Sequence, residues 1–148
     1  MEARERRVLA PAVASVPAGR HFVAEVLSRW HLDGQLDTAT LLASEVMANA
    51  VVHAGTTCIV DVSVDPEDRR ELVVAVTDFG SKPVLSPIAA FGLRLLLEEP
   101  DLDAESGRGL MIVASLADRW GIDPAPQGNT VWFALSLSPA EAQLLHAT

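Results

Sequence analysis

Residues 41–54 read Leu41-Leu42-Ala43-Ser44-Glu45-Val46-Met47-Ala48-Asn49-Ala50-Val51-Val52-His53-Ala54, with a carboxylate, a carboxamide and an imidazole spaced four residues apart. Successive residues of an α-helix turn by about 100°, so positions 45, 49 and 53 drift by only about 40° per step and form one polar stripe. An apolar flank beside this stripe consists of Leu42, Val46, Ala50 and Val52. The spacing therefore predicts an amphipathic helix over 37–54 that packs on a core.

The polar stripe has two interpretations. An acid next to a neutral oxygen donor, aligned beside an apolar flank, can pair a general base with a Mg²⁺ ligand, as a nucleotide site requires. Alternatively, Asp37 caps the helix and the stripe is its solvated side, which is the usual position of polar residues at helical spacing. The choice between them depends on the motifs that follow along the chain.

A second motif ends a strand-like segment. Residues 71–80 read Glu71-Leu72-Val73-Val74-Ala75-Val76-Thr77-Asp78-Phe79-Gly80, and their β-branched and apolar residues predict a strand over 71–78. A carboxylate at its end can accept a hydrogen bond from an exocyclic amine such as that of adenine. An ordinary turn is the alternative, because Asp and Gly favour turns. The same triplet occurs in protein kinases, but their glycine-rich loop, strand lysine and His-Arg-Asp motif do not occur upstream here.

A third motif, Gly107-Arg108-Gly109-Leu110, opens an apolar run over 109–118 that predicts a helix. Glycine lets the backbone approach a ligand, and the free N–H groups at a helix start can hold an anion. Arg108 adds a charged donor for phosphate oxygens. A tight turn before a helix is the alternative. The sequence contains neither Gly-x-Gly-x-x-Gly nor the Gly-x-x-x-x-Gly-Lys-[Ser/Thr] phosphate loop.

Taken together, the three motifs resemble the boxes of the histidine-kinase-like ATPase superfamily, also called GHKL or Bergerat-fold proteins. Over residues 8–137 the chain is similar to the anti-sigma-factor serine/threonine kinase branch of bacteria, in its small actinobacterial type. Sensor histidine kinases usually carry another asparagine four residues before the key asparagine. Glu45 occupies that position here, which indicates a member that carries a catalytic base.

The resemblance implies a role for each motif. Glu45 would deprotonate the attacking hydroxyl, and Asn49 would hold Mg²⁺. Asp78 would bind the adenine amino group, helped by Gly80 and by the Thr130 hydroxyl. The phosphates would be wrapped by Gly107, Arg108, Gly109 and Leu110. The implied ligands are therefore ATP and Mg²⁺.

One departure from the superfamily pattern follows Asp78. The chain runs Asp78-Phe79-Gly80-Ser81-Lys82-Pro83 and lacks the second glycine of Asp-x-Gly-x-Gly, which reduces flexibility where the ATP lid begins. The lid is expected at about 81–106, a segment that is long for a simple connection. The role of His53 stays open, with a structural imidazole as the simpler interpretation.

Composition sets outer limits on these expectations. The chain has 148 residues, one cysteine and a formal net charge of −9, which indicates a single domain over 1–148 without a basic surface for nucleic acid. Its uncharged stretches fall short of the roughly 18–20 apolar residues of a membrane span, and a secretory segment is not found. Cys58 is expected to be a small buried hydrophobe. A cytoplasmic protein is therefore expected.

Further elements follow from periodicity and turn chemistry. They are a strand over 8–13, a helix that begins at Ser15, strands near 57–64, 119–122 and 130–137, and a terminal helix opened by Ser138-Pro139-Ala140-Glu141. The sum predicts an α+β fold, a two-layer α/β sandwich with a mixed, mostly antiparallel sheet and helices on one face.

These expectations lead to one functional hypothesis with two alternatives. The hypothesis is a Mg²⁺-ATP-dependent protein serine/threonine kinase that phosphorylates an anti-sigma factor antagonist protein and restrains a sigma factor, without contacting nucleic acid or membrane. The first alternative is a catalytically weak or inactive, nucleotide-gated adaptor, which the altered Gly80-Ser81-Lys82 step supports. The second is a simple ATPase in a larger assembly. Whether two copies form a homodimer stays open.

Overall fold

The computed structural model describes residues 3–53, 55–65, 70–80, 113, 115–125 and 128–147. Its strands are β1 (Ala3–Leu9), β2 (Cys58–Asp65), β3 (Glu71–Asp78), β4 (Arg119–Ala125) and β5 (Gly128–Ser136). Its helices are α1 (Ser15–Arg29), α2 (Leu36–His53) and α3 (Pro139–Ala147), with a 3-10 turn at Asp33–Gln35. None of the helices formed by these residues is long and apolar enough to cross a bilayer.

The five described strands form one sheet in the order β1-β2-β3-β5-β4, and all four pairings are antiparallel. β3 lies at the centre of the sheet. At its end, Asp78 lies opposite Cys58 of β2 and opposite Asn129 of β5. The predicted fold class is confirmed.

The two layers follow from the alternation of side chains along the strands. On β3, Leu72, Val74 and Val76 are buried, and the residues between them are half-buried. Since successive side chains point to opposite faces, these three residues lie on the face that α1 and α2 cover. The opposite face carries polar pairs, such as Arg4 with Asp61 at 2.6 Å, and no described helix covers it.

The start of α2 is attached to one end of the sheet. Gln35 Nε2 donates to the Ser136 carbonyl oxygen at 3.1 Å and to Glu141 Oε1 at 2.9 Å. Glu141 also caps α3, because its Oε1 accepts from Ser138 N at 2.9 Å while its own N donates to Ser138 Oγ at 3.1 Å. The predicted cap of the terminal helix is therefore confirmed, and the same carboxylate holds α2 beside the end of β5.

The close approach of α1 to α2 depends on Gly19. A Cβ at this position would overlap the sulfur of Met47 on α2 and the side chain of Leu9 at the end of β1. The absence of a side chain at Gly19 therefore allows α1 to press α2 onto the sheet, which fixes the helix that carries the polar stripe.

Most predicted element boundaries agree with the structure within a few residues, but the first strand does not. The prediction of a strand over 8–13 is wrong, because β1 ends at Leu9. β1 is an edge strand, and its outer side is held by Arg4 and Arg6, which both pair with Asp61. Charged residues occupy most of β1, so it lacks the alternation of apolar residues by which a strand is recognised in sequence.

Candidate functional site

Asp78 is a carboxylate at the end of β3 on the helix-covered face of the sheet. It is only 8% exposed and shares this face with the buried Val74 and Val76. Its Oδ1 accepts a hydrogen bond from the Gly80 backbone N at 3.0 Å, so the turn after the strand fixes its orientation. Burying a carboxylate is costly unless it has donors. The remaining acceptor positions of Asp78 therefore suit a ligand that brings an N–H group.

Cys58 lies beside Asp78 in the register of β2 and β3 and is fully buried. Burial raises the pKa of the Cys58 thiol, and the negative charge of Asp78 raises this pKa further. A thiol of this kind stays protonated and is a poor nucleophile. Cys58 therefore packs against the base of the site, as the expected small buried hydrophobe.

Gly128 and Asn129, at the start of β5, form the other wall beside Asp78. Gly128 is buried, and a Cβ there would overlap the Asp78 carbonyl oxygen and the Phe79 backbone. Asn129 lies directly opposite Asp78 on the same face, and among the described residues its buried Oδ1 has no hydrogen-bond partner. Such an unsatisfied acceptor costs about 1–3 kcal/mol. The strand ends therefore present two neighbouring acceptors, one charged and one neutral.

We expect Gly128→Ala to damage both the fold and the site. The new methyl group has no space beside the backbone of Asp78, so β3 and β5 must separate locally, at a cost of about 1–3 kcal/mol. Because Asp78 lies on β3, it should be displaced together with the strand. Chemical denaturation measures the loss of stability. Gly34→Ala is the matched control, because a Cβ there meets only Glu141 Oε2 at 3.4 Å. Equal stabilities of the two variants would contradict the close packing at Gly128.

Glu45 and Asn49 lie on α2, and both are half-buried. Three residues of the predicted apolar flank are buried in the core: Leu42, Val46 and Ala50. The structure does not describe the side chains of Val52 and His53. On one side of the stripe the helix is buried in the core, and one turn before Glu45 the side chain of Leu41 is 40% exposed. Glu45 and Asn49 therefore lie at the border between core and solvent. This position suits groups that line a pocket.

The path of α2 brings this stripe toward Asp78. Gln35 fixes the helix start beside Ser136, which pairs with Glu71 at the start of β3. The helix packs on β3 and β5. From Gln35 to Asn49 it rises about 21 Å at about 1.5 Å per residue, and β3 rises about 23 Å between Glu71 and Asp78 at about 3.3 Å per residue. The two elements therefore carry Asn49 and Asp78 to the same end of the domain.

Thr130 is not brought together with Asp78. It lies one residue after Asn129, so its side chain points to the opposite face of the sheet, where its Oγ1 lies 2.8 Å from Thr77 Oγ1. The two hydroxyls face a cavity of about 520 Å³ on that outer face, which Arg4 and Arg6 also line. The residue of β5 on the face of Asp78 is Asn129. The sequence does indicate which face Asn129 occupies, because it precedes the apolar residues Val131, Phe133 and Leu135 at the same two-residue spacing.

The remaining predicted site residues divide into two groups. Gly80 is described, is half-buried and contacts Asp78 through its backbone N. The expected lid at about 81–106 lies outside the described residues, and so does most of the helix predicted at 109–118. The predicted phosphate-binding residues also lie outside them: Gly107, Arg108, Gly109 and Leu110.

Comparison with known families agrees with this geometry. The model of the histidine kinase-like ATPase domain matches residues 9–135, which includes all three motifs and every element from α1 to most of β5. A search of curated proteins gives no match. The matched region covers well over half of the chain, and such a domain indicates ATP binding. The chain therefore belongs to the histidine kinase-like ATPase domain family.

Proposed function

We propose that this chain is a Mg²⁺-ATP-binding protein serine/threonine kinase that phosphorylates an antagonist protein and restrains a sigma factor. The observation that carries the proposal is the buried Asp78 carboxylate, which is held by Gly80 N and lies at the end of the domain that the stripe of α2 approaches. A buried acceptor at a strand end suits the exocyclic amine of adenine. Membership of the family supports ATP as the nucleotide.

Glu45 is the candidate base for the transfer step. Its carboxylate takes the proton of a serine or threonine hydroxyl as that oxygen forms a bond to the γ-phosphorus of ATP. The bond between the γ-phosphorus and the bridging oxygen breaks, and ADP leaves with the electron pair. Such transfer depends mostly on positioning and charge stabilisation, and the base adds about 10²–10⁴-fold. Glu45 suits this role because it is half-buried on α2, where a carboxylate is accessible to a substrate.

Asn49 is the candidate protein ligand of Mg²⁺. The ion prefers oxygen ligands and is commonly held by one or two protein groups together with substrate phosphates and water. The half-buried carboxamide of Asn49, one helical turn from Glu45, supplies a neutral oxygen of this kind. When bound, Mg²⁺ neutralises phosphate charge, which matters in a chain whose formal net charge is −9.

Asn49→Ala should remove the Mg²⁺-dependent part of ATP affinity. An interaction with a charged group is worth about 1.5–3 kcal/mol, so we expect the gain from added Mg²⁺ to fall about tenfold or more. Calorimetric titration with ATP, with Mg²⁺ and with a chelator instead, measures this gain. Gln143→Ala, at an exposed carboxamide of α3, is the matched control. If Mg²⁺ strengthens ATP binding equally in both variants, Asn49 is not the ligand.

A nucleotide-gated adaptor is the second candidate. It is favoured by the Gly80-Ser81-Lys82 step, which lacks the second glycine of the superfamily pattern. An adaptor would bind ATP and a regulator, and it would transfer no phosphate. A simple ATPase would release phosphate without a protein substrate. The cytoplasmic location belongs to the kinase proposal.

Transfer of a labelled γ-phosphate distinguishes these candidates. The protein is incubated with Mg²⁺-ATP and a candidate antagonist protein, and in parallel with the antagonist in which the acceptor serine or threonine is replaced by alanine. The kinase proposal predicts label on the first antagonist alone. Bound ATP without any labelled antagonist supports the adaptor, and free labelled phosphate that does not depend on the antagonist supports the ATPase.

A further inference from the structure

The outer face of the sheet, away from α1 and α2, contains the cavity of about 520 Å³ that Thr77 and Thr130 line. Pockets for small molecules commonly have volumes of about 300–1,000 Å³. Short side chains, those of Ser63 on β2 and Ala75 on β3, lie among the longer ones that line this cavity, so the sheet surface is concave here. Within the described part of the chain, the residues that line it are separate from those around Asp78.

The β1 side of this cavity is positively charged. Arg4 contacts the Asp61 carboxylate through Nε at 2.9 Å and Nη2 at 2.6 Å, and Arg6 contacts it through Nε and Nη2, both at 2.9 Å. Two positive charges therefore surround one negative charge. A guanidinium has five N–H donors in a planar fork, and Arg6 gives one edge of this fork to Asp61. Its other donors suit a second carboxylate beside Asp61.

The middle of the sheet supplies an apolar wall and a hydroxyl donor. Phe79 is a large aromatic residue, yet it is 44% exposed, and Ile59 lines the same cavity. Thr77 Oγ1 and Thr130 Oγ1 lie 2.8 Å apart. Since only one hydroxyl hydrogen can lie between these two oxygens, the other can be donated to a ligand. The cavity thus combines cationic donors, an apolar wall and a neutral donor.

We propose that this outer-face cavity binds a small aromatic monocarboxylate. The carboxylate lies against the Arg6 guanidinium, and the ring packs on Ile59 and Phe79, since aromatic rings pair favourably in offset or edge-to-face contact. One added negative charge balances the two arginines and Asp61, so a monoanion fits better than a polyphosphate. This binding site goes beyond the proposed kinase activity and does not depend on it.

Benzoate and benzamide test the proposal on the wild-type chain, because the two molecules have nearly the same shape and only benzoate is charged. Titration of the ¹⁵N-labelled full chain by NMR gives the affinity and the site together. We expect saturable benzoate shifts at the amides of Thr77, Phe79 and Thr130. Benzamide should bind about tenfold more weakly or worse, because it cannot make a hydrogen bond between two charged groups.

Substitutions then assign the carboxylate and the ring to the cavity. Arg6→Gln should weaken benzoate binding about tenfold. Arg20→Gln, which removes the same charge from an exposed position of α1, should bind as the wild type does. Ala75→Leu fills the concave surface without a change in charge and should also weaken binding. Asp78→Asn, on the other face of the sheet, should keep the wild-type benzoate affinity.

Three results would overturn the proposal: equal wild-type affinities for benzoate and benzamide, equal benzoate affinities of Arg6→Gln and Arg20→Gln, or no saturable shift at millimolar benzoate. Shifts centred on the other face of the sheet, lost in Asp78→Asn, would overturn it as well, because benzoate would then occupy the nucleotide site. A chain that fails to bind ATP but binds benzoate as described would overturn the proposed function and support the outer-face site.

Discussion

Replacing Glu45 by Gln is expected to lower phosphoryl transfer to the antagonist by about 10²–10⁴-fold, the usual contribution of a positioned base. Glutamine has nearly the shape of glutamate, but it cannot take up the hydroxyl proton. Glu45 is half-buried on α2, which packs on the sheet through Leu42 and Val46, so the substitution leaves the packing of the helix unchanged. ATP affinity should stay within about twofold, because the base acts in the transition state.

Single-turnover transfer and calorimetric ATP titration measure the two quantities separately. The matched control is Glu25→Gln, because Glu25 is an exposed carboxylate of α1 whose Oε1 lies 3.4 Å from His21 Nε2. It should transfer phosphate at the wild-type rate. A Glu45→Gln variant that transfers at the rate of Glu25→Gln would remove Glu45 from the role of base, while normal ATP binding by both would leave the site itself in place.

Asp78→Asn is expected to weaken ATP binding by about 10²-fold. The Asp78 carboxylate offers only hydrogen-bond acceptors. An asparagine that turns its amide nitrogen toward adenine would instead place its N–H donors against those of the adenine amino group. A site built to hydrogen-bond its ligand loses much affinity when this pairing fails. The neighbouring Asn129 cannot replace the lost charge, since hydrogen bonds to charged groups are roughly twice as strong as neutral ones.

Asp123→Asn is the control for this substitution, because Asp123 is an exposed carboxylate of β4. Both variants lose one negative charge, so any general effect of net charge on a polyanionic ligand is shared. Fluorescence or calorimetric titration with ATP gives the difference between them. Equal ATP affinities would show that the Asp78 carboxylate does not contact the nucleotide.

The sequence predicts the elements of this domain well where local pattern and tertiary packing agree. The alternation along residues 71–78 and the helical spacing of residues 36–53 each place apolar side chains on one face, and those faces meet in the core. β1 fails this test because its charged side chains are paired across the sheet with Asp61, a partner more than fifty residues away that local pattern cannot indicate.

The candidate site shows a similar division. Asp78 and the stripe of α2 could be recognised as candidate site residues from the sequence, because each belongs to a motif of consecutive residues. The alternation along the last strand shows which side chains share a face with Asn129, but it does not show that Asn129 lies opposite Asp78, because that pairing depends on the register between β3 and β5. A shift of one residue along a strand moves a side chain to the other face of the sheet. The resemblance to the family implied a role for Thr130, whereas the pairing of β3 with β5 places Asn129 beside Asp78.

Thermal unfolding of the full chain with and without Mg²⁺-ATP tests the central claim most directly, because a ligand that binds only the folded state must raise its stability. At a nucleotide concentration about 100 times the Kd, the gain is about 2.7 kcal/mol. For a domain of this size it corresponds to a rise of about 5–10 °C in Tm, since each 1 kcal/mol adds about 2–4 °C. We expect this rise in the wild type and a much smaller one in Asp78→Asn. An unchanged Tm of the wild type at millimolar Mg²⁺-ATP would contradict the account.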